Sequence, residues 1–336
     1  MQNQPEMIHI VYAADDAFAP VLGVSVESLL RSGSNACLFD ISVFDGGISP
    51  GNRQKLNSLC RRHGQRDPHY LRTDYMQQCL GKHIHTDRGS IMQYARLFIG
   101  RLPYDRVLYL DCDVMLRRDI GALWNTDLQG KVMAAVPDVF SPYYRRGMEL
   151  APEDPVYNDG VMLVDLHKWR EHRVEEKALA FIHRHAGNPV KNDLGVINAV
   201  LSRETLPLPP SWNAVTAFYD FTYEEMLYYR KPPSYFPKET VESAAADPAI
   251  VHFTTSFCST RPWEEGCSHP FAGEYLEIRQ QTPWADEALS RPYKSVPYRV
   301  LNRLPWAARI GVAACLQAYI RPVCCLFRER IRKIEK

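Results

Sequence analysis

Two carboxylates one residue apart, Asp111 and Asp113, stand where an apolar run ends in the segment RVLYLDCDVML, Arg106–Leu116. Hard carboxylate oxygens at that spacing suit a divalent cation, which can bridge nucleotide phosphates and neutralise a departing diphosphate. The run is short, β-branched and aromatic-rich, so Arg106–Leu110 reads as a buried central strand emerging at Asp111. Ligands of open α/β sheets bind at that edge. Taken alone, an Asp-x-Asp pair fits equally well as loop carboxylates capping a following helix.

Four other stretches carry compatible chemistry. In HIVYAADDAF the strand Ile8–Ala14 ends in Asp15 and Asp16, and Asp15 can accept from a nucleotide base or ribose, or cap the next helix. In YAR, Tyr94–Arg96, the arginine can clamp a phosphate or carboxylate with two parallel hydrogen bonds. In YNDGVMLVDLHKWR, Tyr157–Arg170, Asn158-Asp159-Gly160 reads as a turn before a strand. There Asn158 offers an amide to sugar hydroxyls and Gly160 permits close backbone approach. In VHFTTSFCSTRPW, Val251–Trp263, His252 follows an apolar strand and precedes a hydroxyl-rich loop ending in Arg261, a counter-ion for a diphosphate.

To converge, these stretches need a layered α/β scaffold. The periodicity predicts strand Ile8–Ala14, a helix near Pro20–Leu30, strand Leu38–Phe44, helix Pro50–His63, strand Tyr70–Leu71, a helix near Gln93–Gly100 and strand Arg106–Leu110. Strands Val132–Val136 and Gly160–Val164 follow, then one long helix from Asp165 to near Gly187, a helix near Asp193–Leu201 and strand Ile250–Phe253. That βα rhythm implies a mixed, mostly parallel sheet flanked by helices. The Pro-rich pieces Leu206–Trp212 and Lys231–Lys238 read as ordered loops.

Apolar residues make up 46% of the 336 and charged residues 24%, as in an ordinary globular protein. With no apolar stretch of membrane-spanning length and a polar Met1–Glu6, the expected location is the cytoplasm. Nine cysteines without C-x-x-C spacing read as reduced thiols. A net charge of +1 hides an asymmetry, since Arg291–Lys336 holds eleven Lys or Arg against Glu329 and Glu335. We therefore expect a body over 1–285 and a basic amphipathic tail over 286–336, which carries Trp306 and can lie on an anionic membrane surface, the inner face of a plasma membrane, or contact the acceptor. No nucleic-acid partner is expected.

Taken in order from about Ile8 to Trp263, these motifs resemble the retaining glycosyltransferases of family 8, the group of bacterial lipopolysaccharide galactosyl- and glucosyltransferases and of glycogenin. The resemblance implies a GT-A fold, a UDP-hexose donor, a glycan or glycolipid acceptor, and Mn²⁺, or Mg²⁺, on Asp111, Asp113 and His252; an imidazole ligand suits Mn²⁺ better. It further implies that Ala13 and Asp15 meet the uracil and ribose, Cys112 the ribose through its backbone, and Arg96 the sugar or diphosphate. Asn158 and Gly160 would line the sugar pocket, with Asp193 as the sugar-binding carboxylate. Asp193, Asn158 and Arg96 are thus the catalytic candidates.

Three departures stand out. Asp193-Leu194-Gly195 replaces D-Q-D, removing the Gln beneath the anomeric carbon and favouring front-face displacement. His252 and Arg261 lie nine apart, with Arg for the usual Lys, and Asp159 replaces a small residue. The expected activity is hexosyl transfer from UDP-glucose or UDP-galactose, in lipopolysaccharide or other surface polysaccharide synthesis. One alternative is a non-catalytic UDP-sugar- or glycan-binding protein, motivated by the missing Gln. Another is a sugar nucleotidyltransferase, which would need a glycine-rich basic loop after the first strand where this chain has AADDAFAPVLG.

Overall fold

A computed structural model describes residues 6–33, 37–86, 90–255, 257–292 and 301–325. Seven strands form the main sheet: β1 (Glu6–Ala14), β2 (Cys37–Asp45), β3 (His69–Leu71), β4 (Arg106–Leu110), β6 (Met133–Pro137), β7 (Tyr157–Asp165) and β8 (Thr205–Pro207), in the order β3-β2-β1-β4-β7-β6-β8. Only β7 runs against both its neighbours; every other pairing is parallel. A second sheet pairs β10 (Ile250–His252) with β5 (Val114–Leu116) and with β9 (Ala214–Val215).

Both faces of the main sheet are covered, which is why its strands read as nearly continuous apolar runs. Alternation sorts their side chains: Ile8, Ile10, Tyr12, Leu108 and Leu110 enter one core, with Val11, Val107 and Tyr109 in the other. Helix Ala19–Ser32 carries Pro20 in its first turn and stops at Gly33, and helix Pro50–Arg62 is capped by Ser49 Oγ, which accepts from Asn52 N at 3.3 Å.

Three local expectations change. The long helix after Asp165 is two helices, Leu166–Glu171 and Val174–Arg184, because Arg173 between them sits at φ +53°, a left-handed conformation that cannot continue a helix. Asn158-Asp159-Gly160 is no turn but the buried first part of β7, between Tyr157, opposite Pro137 of β6, and Val161, opposite Leu110 of β4. The helix near Gln93–Gly100 is a 3₁₀ helix over Ile91–Arg101. Its three-residue repeat puts the N-cap Ser90, Gln93 and Arg96 in one row, and all three line the same cleft.

Candidate active site

The chain order brings the motif residues to one edge. Because β1 and β4 are parallel neighbours, Asp15 and Asp111 leave the sheet side by side. β7 runs antiparallel to β4, so its start lies beside the end of β4, where Asp111 N donates to Gly160 O at 2.8 Å. Asp111-Cys112-Asp113 then steps from the main sheet into β5 of the second. Antiparallel pairing of β5 with β10 sets His252 opposite Val114, and Phe253 N donates to Asp113 O at 2.9 Å.

Carboxylate oxygens of Asp111 and Asp113 and a ring nitrogen of His252 lie within 4.8 Å of one another. His252 Nε2 is 3.2 Å from Asp113 Oδ1 and 3.8 Å from Asp111 Oδ2. The opposite ring nitrogen, Nδ1, faces Asn213 Oδ1 at 2.9 Å. Asn213 Nδ2 in turn donates to Asn158 Oδ1 at 2.9 Å, and Asn158 Nδ2 donates to Asp138 Oδ2 at 3.2 Å. A carboxylate can only accept, so this chain fixes both amides and makes Nδ1 the protonated nitrogen of a neutral ring. Nε2 then presents its lone pair to the two carboxylates, the orientation that a metal-ligating histidine takes from its outer partner. Two carboxylates and an imidazole nitrogen held in this way fit a divalent cation.

Arg96 is the electrostatic centre. Its buried guanidinium donates from Nη2 to Asp111 Oδ1 at 2.6 Å and from Nη1 to the Asp159 carbonyl at 2.7 Å. The same group lies 2.9 Å from Asp159 Oδ2 and 3.1 Å from Asp193 Oδ2, and it stacks over Tyr109. Arg261 completes the cluster, with Nη1 donating to Asp113 Oδ2 at 2.9 Å and Nη2 to Thr255 Oγ1 at 2.6 Å.

Burial pushes the Asp111 carboxyl up to about 6, against the pull of Arg96. Asp113 goes the other way: burial works against its charge, yet His252 and Arg261 hold it well below the usual carboxylate range. Burial lowers the His252 imidazolium, but Asp113 and Asp111 outweigh it and the ring titrates above its ordinary value. Asp193 is raised well above the carboxylate range, burial outweighing Arg96.

Ala13, Asp15, Arg96, Asp111, Cys112, Asp113 and Arg261 line one cleft of about 490 Å³. Asp15 both borders it and caps the turn that follows, accepting from Phe18 N at 3.2 Å. Cys112 Sγ donates to Ala13 O at 3.2 Å, tying the ends of β1 and β4 together. Asn158, Gly160, Asp193 and His252 adjoin this set through Arg96, Asp111 and Asp113 and are not among the residues lining the cleft. The Asn158 amide, expected to meet a sugar, has both atoms engaged within the protein. Asn213 and Asp138 were not anticipated; Asn213 follows a Pro-rich loop and no short motif singles it out.

The family model of glycosyl transferase family 8 matches residues 9–267. Among curated relatives, General stress protein A of Bacillus subtilis (strain 168) is 29% identical over 84% of this chain and 96% of its own. The Lipopolysaccharide 1,2-glucosyltransferase of Escherichia coli (strain K12) is 28% identical over 88% and 83%. Among solved structures, the galactosyltransferase LgtC in complex with donor and acceptor sugar analogs superposes with a TM-score of 0.67 at 24% identity, over 83% of this chain and 98% of that one, a likeness of fold. With a mainly parallel sheet that carries its Asp-x-Asp at a strand end, and with that family match over most of its length, the chain is a GT-A glycosyltransferase and belongs to glycosyl transferase family 8.

Proposed function

We propose that this enzyme moves a hexose from UDP-glucose or UDP-galactose to a glycan or glycolipid acceptor, with retention of configuration, in the assembly of lipopolysaccharide or another surface polysaccharide. The observation that carries the reading is the meeting of Asp111, Asp113 and His252, with both carboxylates on a cleft that Arg261 and Asp15 also line. Similarity to the E. coli lipopolysaccharide glucosyltransferase supports the choice of sugar and product class.

Asp111, Asp113 and His252 would hold Mn²⁺ or Mg²⁺, which when bound neutralises the departing diphosphate. Arg261 supplies the second positive charge, exchanging Asp113 for a phosphate oxygen. Asp15 and the Ala13 and Cys112 backbone border the space for the nucleoside. Arg96 holds Asp111, Asp159 and Asp193 in place, and Asp193 accepts from a sugar hydroxyl. Leu194 packs in the apolar cluster of Phe140, Tyr144 and Val190, so no protein nucleophile stands at that position. The acceptor hydroxyl therefore attacks from the face the diphosphate leaves, its C–O bond forming as the anomeric C–O bond breaks and its proton passing to a departing phosphate oxygen.

The segment 286–336 forms the acceptor- and membrane-facing part of this proposal. No helix among the described residues is long and apolar enough to cross a membrane. Helix Trp306–Cys315 and its continuation to residue 325 bury Ile310, Ala313, Ala314 and Ala318, while Val312, Leu316, Tyr319, Ile320 and Val323 lie exposed at helical spacing on another face. Apolar exposure beside Arg303, Arg309 and Arg321 supports peripheral attachment to anionic lipid on the cytoplasmic side. The rest of the basic excess, Lys294, Arg299 and everything from residue 326 on, lies outside the described residues.

The decisive experiment is UDP release from a panel of UDP-sugars, with Mn²⁺ and then with chelator. Chelator-sensitive release from UDP-glucose or UDP-galactose is expected. Release that ignores the chelator removes the metal from the proposal, and tight UDP-sugar binding without release in the presence of any glycan acceptor makes the chain a binding protein.

A further inference from the structure

A second cavity, of about 400 Å³, lies where the start of helix Asn192–Leu201 meets the C-terminal helical segment, and its walls include Tyr144, Lys191, Arg321 and Cys325. None of the described side chains lining it is acidic. Arg230 stands within electrostatic reach of both Lys191 and Tyr144. Lys191, Arg230 and Arg321 make no ion pair among the described residues. The Lys191 ammonium lies over the rings of Phe140 and Tyr144, at 5.2 and 4.7 Å. Among the described residues, the carboxylate of Asp138 acts on Lys191, and it is already engaged by Asn158 Nδ2 and Val139 N. Two buried donors have no hydrogen-bond partner among the described residues: the hydroxyl of Tyr144, a residue only 2% exposed, and Arg230 Nε.

Two cations on the walls of a cavity of ligand size, a third within electrostatic reach, none of them ion-paired among the described residues, and a buried phenol with no hydrogen-bond partner there call for an oxyanion. The cavity adjoins the sugar end of the donor cleft, because Asp193 is the second residue of the helix that begins there and Asp138 links Lys191 to Asn158. We propose that it is an acceptor subsite for a phosphoryl group: the glycan that receives the hexose carries a phosphomonoester, gripped by Lys191, Arg230, Arg321 and the Tyr144 hydroxyl. This deepens the transferase reading and rests on it. A dianion is favoured over a carboxylate because it offers more charge and more acceptor oxygens to a site with three cations. Lys191 points the same way: burial and the two guanidiniums push its ammonium down to about 8, and a bound dianion would draw it back up.

The test is calorimetric titration of inorganic phosphate into the full chain, repeated with saturating UDP and Mg²⁺. Saturable binding is expected that UDP leaves in place, that weakens about tenfold or more in Lys191→Met and Arg321→Met, and about fivefold in Tyr144→Phe. Tyr144→Phe removes only an unbonded hydroxyl, so its effect cannot be assigned to misfolding. Displacement of phosphate by UDP would put the anion in the donor site and overturn the proposal; so would unchanged affinity in Tyr144→Phe and Arg321→Met, or tighter binding of acetate than of phosphate. Donor-dependent UDP release on the same preparations keeps the two readings apart. Release without phosphate binding removes the subsite and keeps the transferase. Phosphate binding with no release, even when a phosphorylated acceptor is supplied, removes the transferase.

Discussion

Gly160→Ala places one methyl group where the site has no room. A Cβ at Gly160 would lie 2.3 Å from His252 Cε1, 2.8 Å from Asp111 Oδ2 and 2.9 Å from His252 Nδ1. Ordinary contact needs about 3.4 Å or more, so the ring must retreat by about 1 Å. It cannot do so without leaving Asn213, which holds Nδ1 at 2.9 Å. Metal–ligand distances tolerate only about 0.2 Å, so the shift costs the imidazole ligand or distorts both carboxylates. Losing what orients a metal ligand typically costs 10–100-fold in affinity, and this substitution moves two ligands, so Mn²⁺ affinity should fall by about 100-fold, or about 2.7 kcal/mol. Gly160 has no left-handed backbone to defend, so the damage to the fold is the overpacking cost alone, about 1–3 kcal/mol. Mn²⁺ titration followed by electron paramagnetic resonance reads the affinity, and thermal unfolding checks the fold. Wild-type affinity within threefold in a folded Gly160→Ala protein refutes the assignment of His252 and Asp111 to one metal site.

Asp113→Ala abolishes transfer, measured as UDP release; near-normal turnover sinks the metal assignment. Asn213→Ala weakens Mn²⁺ binding by about 10–100-fold while Asn213→Asp, which can still accept from Nδ1–H, retains more of it; equal losses in both would show that the side chain acts by packing. Metal binding should weaken as pH falls from about 8 to 6, because Asp111 titrates near 6 and His252 above its ordinary value, and each must shed its proton to ligate; titration in buffers of different ionisation enthalpy should register that proton release, and a pH-independent affinity over this range contradicts the ligand set. Glutamates at Val312, Ile320 and Val323 abolish sedimentation with anionic vesicles and leave the thermal midpoint nearly unchanged, since all three side chains are exposed; undiminished binding clears this face of any role.

The sequence revealed the ends of strands better than what stands behind them. Asp111 and His252 are readable because the one directly follows an apolar β run and the other ends one, Asp113 because it stands one residue beyond Asp111, and parallel pairing of β1 with β4 brings strand ends to one edge. Arg96 was readable as a clamp but not as the partner of three carboxylates, since Asp111, Asp159 and Asp193 are distant in sequence and only the folded chain gathers them. Asn213 carries no local pattern; its meaning comes entirely from His252 on a strand paired beside it. At Gly195 a Cβ would lie 1.7 Å from the Val190 carbonyl oxygen, so the tight loop before this helix requires glycine there.

The charges at the cleft then bear on one another in a way no single motif conveys. Among the described residues, Asp111, Asp113, Asp159 and Asp193 pair with the guanidiniums of Arg96 and Arg261 alone, and His252 is neutral whenever Nε2 presents its lone pair. Ionised, the cluster is short of two positive charges, the charge of one divalent cation. Without that cation it compensates by holding protons, which is why burial raises Asp111 and Asp193 and why the His252 ring charges more readily than usual. Asp159 sharpens the deficit by adding negative charge beside Arg96. A cleft organised in this way binds cation and diphosphate more strongly together than either alone, so donor and metal affinities should each rise in the presence of the other.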